Sequence, residues 1–342
     1  MKIMRSLFIP VVVLLFLVSC SCDHDRQSDN FDPDIAENKL PRVKVDIRRY
    51  EQALFSLNTD SLADGLKSIQ GDYELFLAAD LDDPQNVKQL RDYLTDPIII
   101  SNYKECVSRY PDLQDLSRQL SVSFSYYKYY YPDWEPPKVY TYVSGGDFAA
   151  PIKNADSAII IALDLYLGKS FPFYARYGVP AYKAHWMEGA YIARDCMEEL
   201  AIVRCNQENS EPTFLDQMIS MGKVYYFLDL TMPGTPDSVK IKYKPEWMEW
   251  CQRNEGQVWA FFIDNKLLYS KKHESFLKFF ADGPFTTTFG NQSPPRIALW
   301  TGWQIVRAYV RENPEMKIQD IIKEKDSQKI LQESKYKPKK ES

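Results

Sequence analysis

A pair of β-rich runs separated by two glycines limits what this chain can fold into. Residues 139–143 and 158–162 are rich in β-branched and aromatic side chains, and Gly145 and Gly146 lie between them. Such runs predict two strands that pair in a small sheet. Residues 43–47 also alternate between apolar and charged side chains, as a strand does. Because the rest of the chain has helical periodicity, the sequence predicts an α+β fold in which helix predominates.

Helices account for most of the remaining pattern. Apolar spacing and helix-end signals predict helices over residues 49–57, 61–79, 84–94, 98–109, 112–131, 185–204, 213–229, 245–265, 273–281, 294–312 and 326–334. No repeat or low-complexity break interrupts residues 41–338, so we interpret them as a single globular domain. Residues 339–342 form a short basic tail.

The first twenty residues have the features of a bacterial export signal. A charged start precedes an apolar run, residues 7–18, that is too short to span a bilayer comfortably. The run ends in the sequence LVSC, which resembles the lipobox of bacterial lipoproteins. Residues 1–19 are then the signal peptide, Cys20 takes the lipid, and residues 20–40 form an acidic, flexible tether. The acyl chains would hold the protein on a membrane. An ordinary secretory signal with a chance cysteine is the alternative.

Composition argues against two classes of function. The chain carries 42 basic and 47 acidic residues, a net charge of −5, and lacks the basic excess typical of nucleic-acid binding. The zinc pattern His-Glu-x-x-His is absent, because His273 and Glu274 are followed by Leu277 where the second histidine is required. With three histidines in all, we expect no metal and no other cofactor.

The sixth predicted helix carries the charged side chains of greatest interest. An apolar stripe runs along one side, with Glu188, Asp195 and Glu199 along its edge. On the opposite side Arg194 and Glu198 are four residues apart, which predicts a solvated ion pair. The three edge carboxylates are the acid and base candidates of a hydrolase.

Nine aromatic residues lie within residues 124–142. Such a cluster fills the join between a helix and a sheet, or it stacks on sugars. The first interpretation is favoured, and the second stays open.

The C-terminal third contains a distinctive apolar helix. Its side chains are apolar almost all round from Ile297 to Tyr309, which predicts a central, buried helix with Trp300 in the core. Ser293 is the predicted N-cap, and Pro295 suits the first turn.

Five segments of the chain resemble the GldB family of gliding-motility lipoproteins. They are GPFTTTFG, SPPRIALWTGWQIVRAYVRENPEMKIQDIIKE, ILQESKYKPK, FLDQMISMGKVYYFLD and KYKPEWMEWCQRNEGQVWAFFIDNKLLYS. The resemblance covers most of the mature chain and includes Cys20. It implies a cell-envelope lipoprotein, at the outer membrane, that is associated with gliding machinery and with the secretion system that delivers adhesins. The resemblance implies no particular biochemical activity.

A second resemblance is to zincin-type metallopeptidases, which share the order of strand and active helix and a C-terminal helix like GWQIVRAY. It places Arg194 at the first histidine of His-Glu-x-x-His, Asp195 at the glutamate and Glu198 at the second histidine. Both histidines are replaced, and an arginine that stays protonated cannot bind a metal. The resemblance therefore implies a zincin-like scaffold without its catalytic metal, whose cleft binds a partner.

These observations predict a non-enzymatic lipoprotein that assembles or stabilises an envelope complex. Its expected partners are the membrane, through the lipid, and other envelope proteins, but not nucleic acid. An envelope hydrolase that uses the acidic edge and a glycan-binding lipoprotein that uses the aromatic cluster are the alternatives.

Overall fold

The structure of the protein, a computed structural model, describes residues 35, 37–155, 157–206 and 209–338. The signal peptide, Cys20, the tether up to residue 34 and the tail at residues 339–342 lie outside the described residues. Their assignments stay predictions.

A four-stranded mixed sheet forms around the β-rich segment. Its strands are β1 (Ile47–Arg49), β2 (Lys138–Tyr142), β3 (Ile152–Ala155) and β4 (Ala158–Ala162), in the spatial order β1-β2-β4-β3. The two predicted strands are parallel neighbours, with Val139 beside Ile159, so their pairing is confirmed. The short strand β3 lies between them in the chain and pairs antiparallel with β4. All of β4 is buried, as expected for a continuous apolar run.

Helices make up most of the described chain, which confirms the predicted α+β class. They are α1 (Tyr50–Phe55), α2 (Leu62–Ile69), α3 (Pro84–Thr95), α4 (Pro97–Arg109), α5 (Gln114–Tyr130), α6 (Pro172–Arg176), α7 (Ala181–Ala184), α8 (Ile192–Cys205), α9 (Phe214–Thr231), α10 (Asp237–Ile241), α11 (Pro245–Asp264), α12 (His273–Phe280), α13 (Ile297–Glu312), α14 (Ile318–Lys323) and α15 (Ser327–Glu333).

Two elements near the start of the domain differ from the prediction. Helix α2 ends at Ile69 and not at residue 79, because the chain turns and the Asp72 amide bonds to the Ile69 carbonyl. The strand predicted over residues 43–47 begins only at its last residue. The Val45 amide donates to the hydroxyl of Ser121 on α5 and is therefore not available to a neighbouring strand.

Helices α8 and α13 also begin at later residues than predicted. Helix α8 begins at Ile192, because Glu188 is extended and forms a β-bridge with Leu167. Helix α13 begins at Ile297, and Ser293 does not cap it. The Ser293 hydroxyl instead donates to carbonyl groups of the preceding loop. Both differences come from contacts that helical periodicity does not contain.

The core centres on α9, which is buried almost all round and packs against α8 and α13. Thr213 and Asp216 form a capping box at its start. The backbones of α9 and α13 come closest where Gly222 faces Gly302. A Cβ atom on Gly302 would lie 2.0 Å from the Met218 carbonyl oxygen, so glycine is required for this approach.

Helix α13 is buried as predicted. From Ile297 to Tyr309 every residue except Gln304 and Arg307 is buried, and Trp300 is 3% exposed. This confirms the predicted core face. None of the described helices is both long and apolar enough to cross a membrane.

Candidate functional site

A cleft of about 430 Å³ opens where three parts of the chain meet. The first turns of α8 supply Arg194, Asp195 and Glu198, the residue after α10 is Lys242, and the residue before α13 is Arg296. The volume lies in the range of small-ligand pockets. Apolar and aromatic side chains form much of the remaining wall: Phe148, Leu165, Tyr177, Val179, Trp186 and Met187.

Arg194 is buried, so the prediction of a solvated pair is wrong. Its side chain is 1% exposed, and Nη2 donates to Oε1 of Glu198 at 2.6 Å. Nε donates to the Lys240 carbonyl at 2.6 Å, because the end of α10 covers this side of α8. Burial alone would lower the pKa of Arg194, but the charges of Glu198 and Asp195 outweigh it and raise that pKa. The pair with Glu198 therefore forms, inside the protein.

Asp195 accepts hydrogen bonds from three side chains. Lys242 Nζ lies 2.7 Å from Oδ1, the Tyr166 hydroxyl donates to Oδ2 at 2.8 Å, and Arg194 Nη1 donates to Oδ1 at 2.9 Å. Burial alone would raise the pKa of Asp195, but Lys242 and Arg194 hold the pKa below its ordinary value. A carboxylate that is hydrogen-bonded to two cations in this way stays ionised and is a weak proton acceptor.

A buried charge network lies behind the cleft. The Asp229 carboxylate, on α9, accepts from Lys240 Nζ at 2.8 Å, from Trp303 Nε1 at 2.8 Å and from Arg307 Nη2 at 2.7 Å. Asp229 and Lys240 are both 0% exposed. Because the carbonyl of Lys240 also holds Arg194, the network fixes the position of the cleft relative to α9, α10 and α13.

Two cations of the cleft have a left-handed backbone. Lys242 has φ 53° and Arg296 has φ 55°. For a residue other than glycine this conformation costs about 1–2 kcal/mol, and such strain concentrates at functional sites. Neither residue was predicted from the sequence to lie at a functional site. Lys242 follows a helix, where left-handed residues are common, but nothing in the local sequence marks Arg296.

Not all hydrogen-bond donors of Arg296 have a partner. Its Nη2 donates to the Ile241 carbonyl at 2.7 Å, whereas its Nε is buried without a hydrogen-bond partner. The nearest carboxylate is Asp282, whose Oδ1 lies 3.6 Å from Nε, beyond hydrogen-bond distance. The guanidinium carbon lies 5.8 Å from the centre of the Tyr243 ring. Arg296 is therefore held in place while part of its bonding capacity is unused.

The predicted acidic edge does not assemble in this cleft. Asp195 lines it, but Glu188 and Glu199 do not. Glu188 lies in the bridge to Leu167, and Glu199 lies one turn further along α8. Burial, followed by the nearby charge of Glu198, raises the pKa of Glu199.

The cleft residues do not fit a metal ion. Arg194 is a cation, and Asp195 and Glu198 are its hydrogen-bond partners. Across residues 37–338, apart from the three positions left undescribed there, no group of three His, Cys, Asp or Glu side chains is placed to hold a metal. The sequence-predicted positions Arg194, Asp195 and Glu198 thus come together as an ion-pair cluster.

Four of the nine clustered aromatic side chains are buried and four more pack half-buried against the core, whereas Tyr129 is exposed. Phe124, Tyr127, Tyr130 and Tyr140 are buried, which confirms the packing interpretation for these side chains. Trp134 is half-buried and stacks on Tyr127, with ring centroids 3.8 Å apart.

Comparison with protein families gives a match over most of the chain. Residues 28–338 match the protein family described as gliding motility protein GldB. No curated protein and no solved structure matches the chain.

Proposed function

We infer the role of this protein from its family, because the chain belongs to the GldB family of gliding-motility lipoproteins. We propose that it is a non-enzymatic component of the cell envelope that assembles or stabilises a gliding-motility or secretion complex. In this proposal Cys20 carries the lipid anchor, the protein lies at the outer membrane, and its partners are other envelope proteins.

One observation carries the non-enzymatic part of the proposal. The charged groups of Arg194, Asp195 and Glu198 bond to one another and to neighbouring groups of the protein. A general base needs a lone pair directed at the substrate, and a catalytic zinc needs neutral or anionic ligands. An arginine at the centre of the cluster provides neither. The arrangement supports a cleft that binds a partner without catalysing a reaction.

The proposal is tested with Glu199→Gln, which removes a carboxylate that the hydrolase alternative would use and that does not line the cleft. In the native host, the gene is deleted and replaced by wild type or by the variant. Envelope proteins that co-purify with the lipoprotein from detergent-solubilised membranes are then quantified. We expect the same set of proteins, in unchanged amounts, with wild type and variant. In the deletion strain we expect the members of that set no longer to purify together when one of them is tagged. Loss of motility or secretion in the variant, with an intact complex, would indicate a hydrolase instead.

A biochemical measurement completes the test. The full chain, purified in detergent without chelator, should contain well under one zinc per chain by elemental analysis. One tightly held zinc per chain, or hydrolysis of envelope peptide or glycan that Glu199→Gln abolishes, would overturn the proposal.

A further inference from the structure

The cleft contains more positive charge than its own carboxylates compensate. Arg194 and Lys242 are compensated within the protein, since they pair with Glu198 and Asp195. The charged side chains that remain in the wall are Lys183, Arg296 and Asp282. One carboxylate therefore faces two cations, and the cleft as a whole carries one positive charge in excess.

The two remaining cations are accessible from the cleft. Lys183 is exposed, and 14% of the Arg296 side chain remains exposed beside the cleft that it lines. Asp282 does not neutralise Arg296 completely, because its carboxylate lies 3.6 Å from Nε and is 43% exposed to solvent. An incoming anion can therefore compete with Asp282 for the guanidinium.

The backbone conformation of Arg296 also supports a role in binding an anion. A glycine would adopt φ 55° without strain, yet this position carries a large charged side chain. The bond from Nη2 to the Ile241 carbonyl orients the planar guanidinium before any ligand arrives. A guanidinium held in this way matches the geometry of a carboxylate, which it binds through parallel hydrogen bonds.

The rest of the cleft favours a peptide as the source of that carboxylate. Its wall includes Phe148, Val179, Trp186 and Met187, which suit apolar side chains. The volume of about 430 Å³ is that of a small-ligand pocket and suits the last few residues of a chain.

We propose that this cleft binds the free C-terminal carboxylate of a peptide or protein partner, with Arg296 as the direct contact and Lys183 as a second attractive charge. The inference rests on the proposed function, because it names the chemistry by which an envelope component would recognise its partner.

The test uses the full chain in non-ionic detergent and a pool of random hexapeptides. One pool has free C-terminal carboxylates and the other is amidated, and retained peptides are quantified by mass spectrometry. We expect the free acids to be retained at least tenfold over the amides. Equal retention of the two pools would overturn the proposal. Enrichment of Asp- and Glu-containing amides would show that side-chain carboxylates are the ligand, and would also overturn it.

Three variants locate the binding in this cleft. Arg296→Gln should abolish the preference for free acids, and Asp282→Asn should increase retention several-fold, because it removes the competing anion. If Arg296→Gln fails to fold, as judged by thermal unfolding, Lys183→Gln replaces it, since Lys183 is exposed. The matched control is Lys271→Gln, which removes the same charge from an exposed ion pair with Glu211. An unchanged preference in Arg296→Gln or Lys183→Gln, or weaker retention in Asp282→Asn, would refute the assignment.

Competition identifies the source of the anion. Inorganic phosphate and the soluble lipid dihexanoyl phosphatidylglycerol are added at equal concentration. The peptide ligand would be refuted if the lipid displaced the bound peptides and the protein showed no preference for peptides with free C-terminal carboxylates. Absence of free-acid binding by the wild-type protein, together with an intact set of co-purifying envelope proteins, would reject only this inference, whereas failure of the wild-type protein to co-purify any such set would reject the proposed function.

Discussion

The contact between α9 and α13 makes Gly302→Ala the most informative single substitution. A methyl group on Gly302 would lie 2.0 Å from the Met218 carbonyl oxygen. The obstacle is a backbone atom of the facing helix, so no side-chain rotation relieves the contact. The two helices must separate by about 1 Å to reach even the shortest distance that Cβ atoms tolerate.

The free energy lost through that separation exceeds the free energy that alanine gains over glycine in a helix. A gap of about 1 Å forfeits roughly a quarter to a half of the dispersion attraction between facing atoms. Overpacking a core typically costs about 1–3 kcal/mol, and we expect the upper end because the α9–α13 contact is the most extensive between helices here. Alanine gains about 1 kcal/mol over glycine in a helix interior. The expected net loss of unfolding free energy is therefore about 2 kcal/mol, from a total of roughly 5–15 kcal/mol.

Urea unfolding followed by circular dichroism measures this loss, with Gly65→Ala as the matched control. Gly65 also lies inside a helix, α2, but its Cβ atom would meet only the side chain of Leu57, at 3.3 Å. The control should stay within about 0.5 kcal/mol of wild type, or gain stability from its helix propensity. Gly222→Ala should reproduce the loss, because its Cβ atom would lie 2.3 Å from the Gly302 carbonyl oxygen. If Gly302→Ala proved as stable as Gly65→Ala, the close approach of the two helices would be wrong.

Three further predictions use unfolding measurements, and a fourth uses lipid labelling and membrane fractionation. Trp300→Ala should cost about 3–5 kcal/mol and lower protein abundance, since Trp300 is 3% exposed, and an unchanged midpoint would contradict its place in the core. Asp229→Asn should cost about 3–5 kcal/mol because it removes the close carboxylate of the fully buried Lys240, whose other carboxylate neighbour, Asp237, lies 3.8 Å away. Asp92→Asn, in an exposed pair, should cost under about 1 kcal/mol, and equal losses would refute the buried network. Burial lowers the pKa of Lys223 to about 8, so the unfolded chain holds a proton that the folded protein has lost between that pH and the ordinary lysine pKa. Wild type should therefore gain about 2 kcal/mol relative to Lys223→Met between roughly pH 7.5 and 10, and a flat difference would contradict the shift. Cys20→Ala should abolish lipid labelling and release the protein from membranes or stall its processing while the domain stays folded, and undiminished acylation would reject the lipobox assignment.

Features that depend on neighbours in the chain could be predicted from the sequence. The strands at residues 139–143 and 158–162, most helix bodies and the buried face of α13 all follow from apolar spacing, which records which side of an element avoids water. The same reasoning was wrong at the edges of elements. Ser293 was the predicted cap of α13, but a hydroxyl can bond to several nearby carbonyls, and the folded loop decided which.

The candidate site was predicted only in part. The positions Arg194, Asp195 and Glu198 came from the sequence, through a resemblance and through their spacing on one helix. Their burial did not, because spacing on α8 says nothing about α10, whose Lys240 carbonyl covers Arg194 from 46 positions further along the chain.

Only the tertiary structure decided what the cleft can do. Lys242 and Arg296 lie far apart in sequence, and each has a backbone conformation that its residue type does not favour. Packing of α9 against α13 through Gly222 and Gly302 brings their segments together around α8. Helical periodicity reports which residues leave water, whereas the charge left unpaired in a cleft depends on distances between elements, and these exist only once the chain has folded.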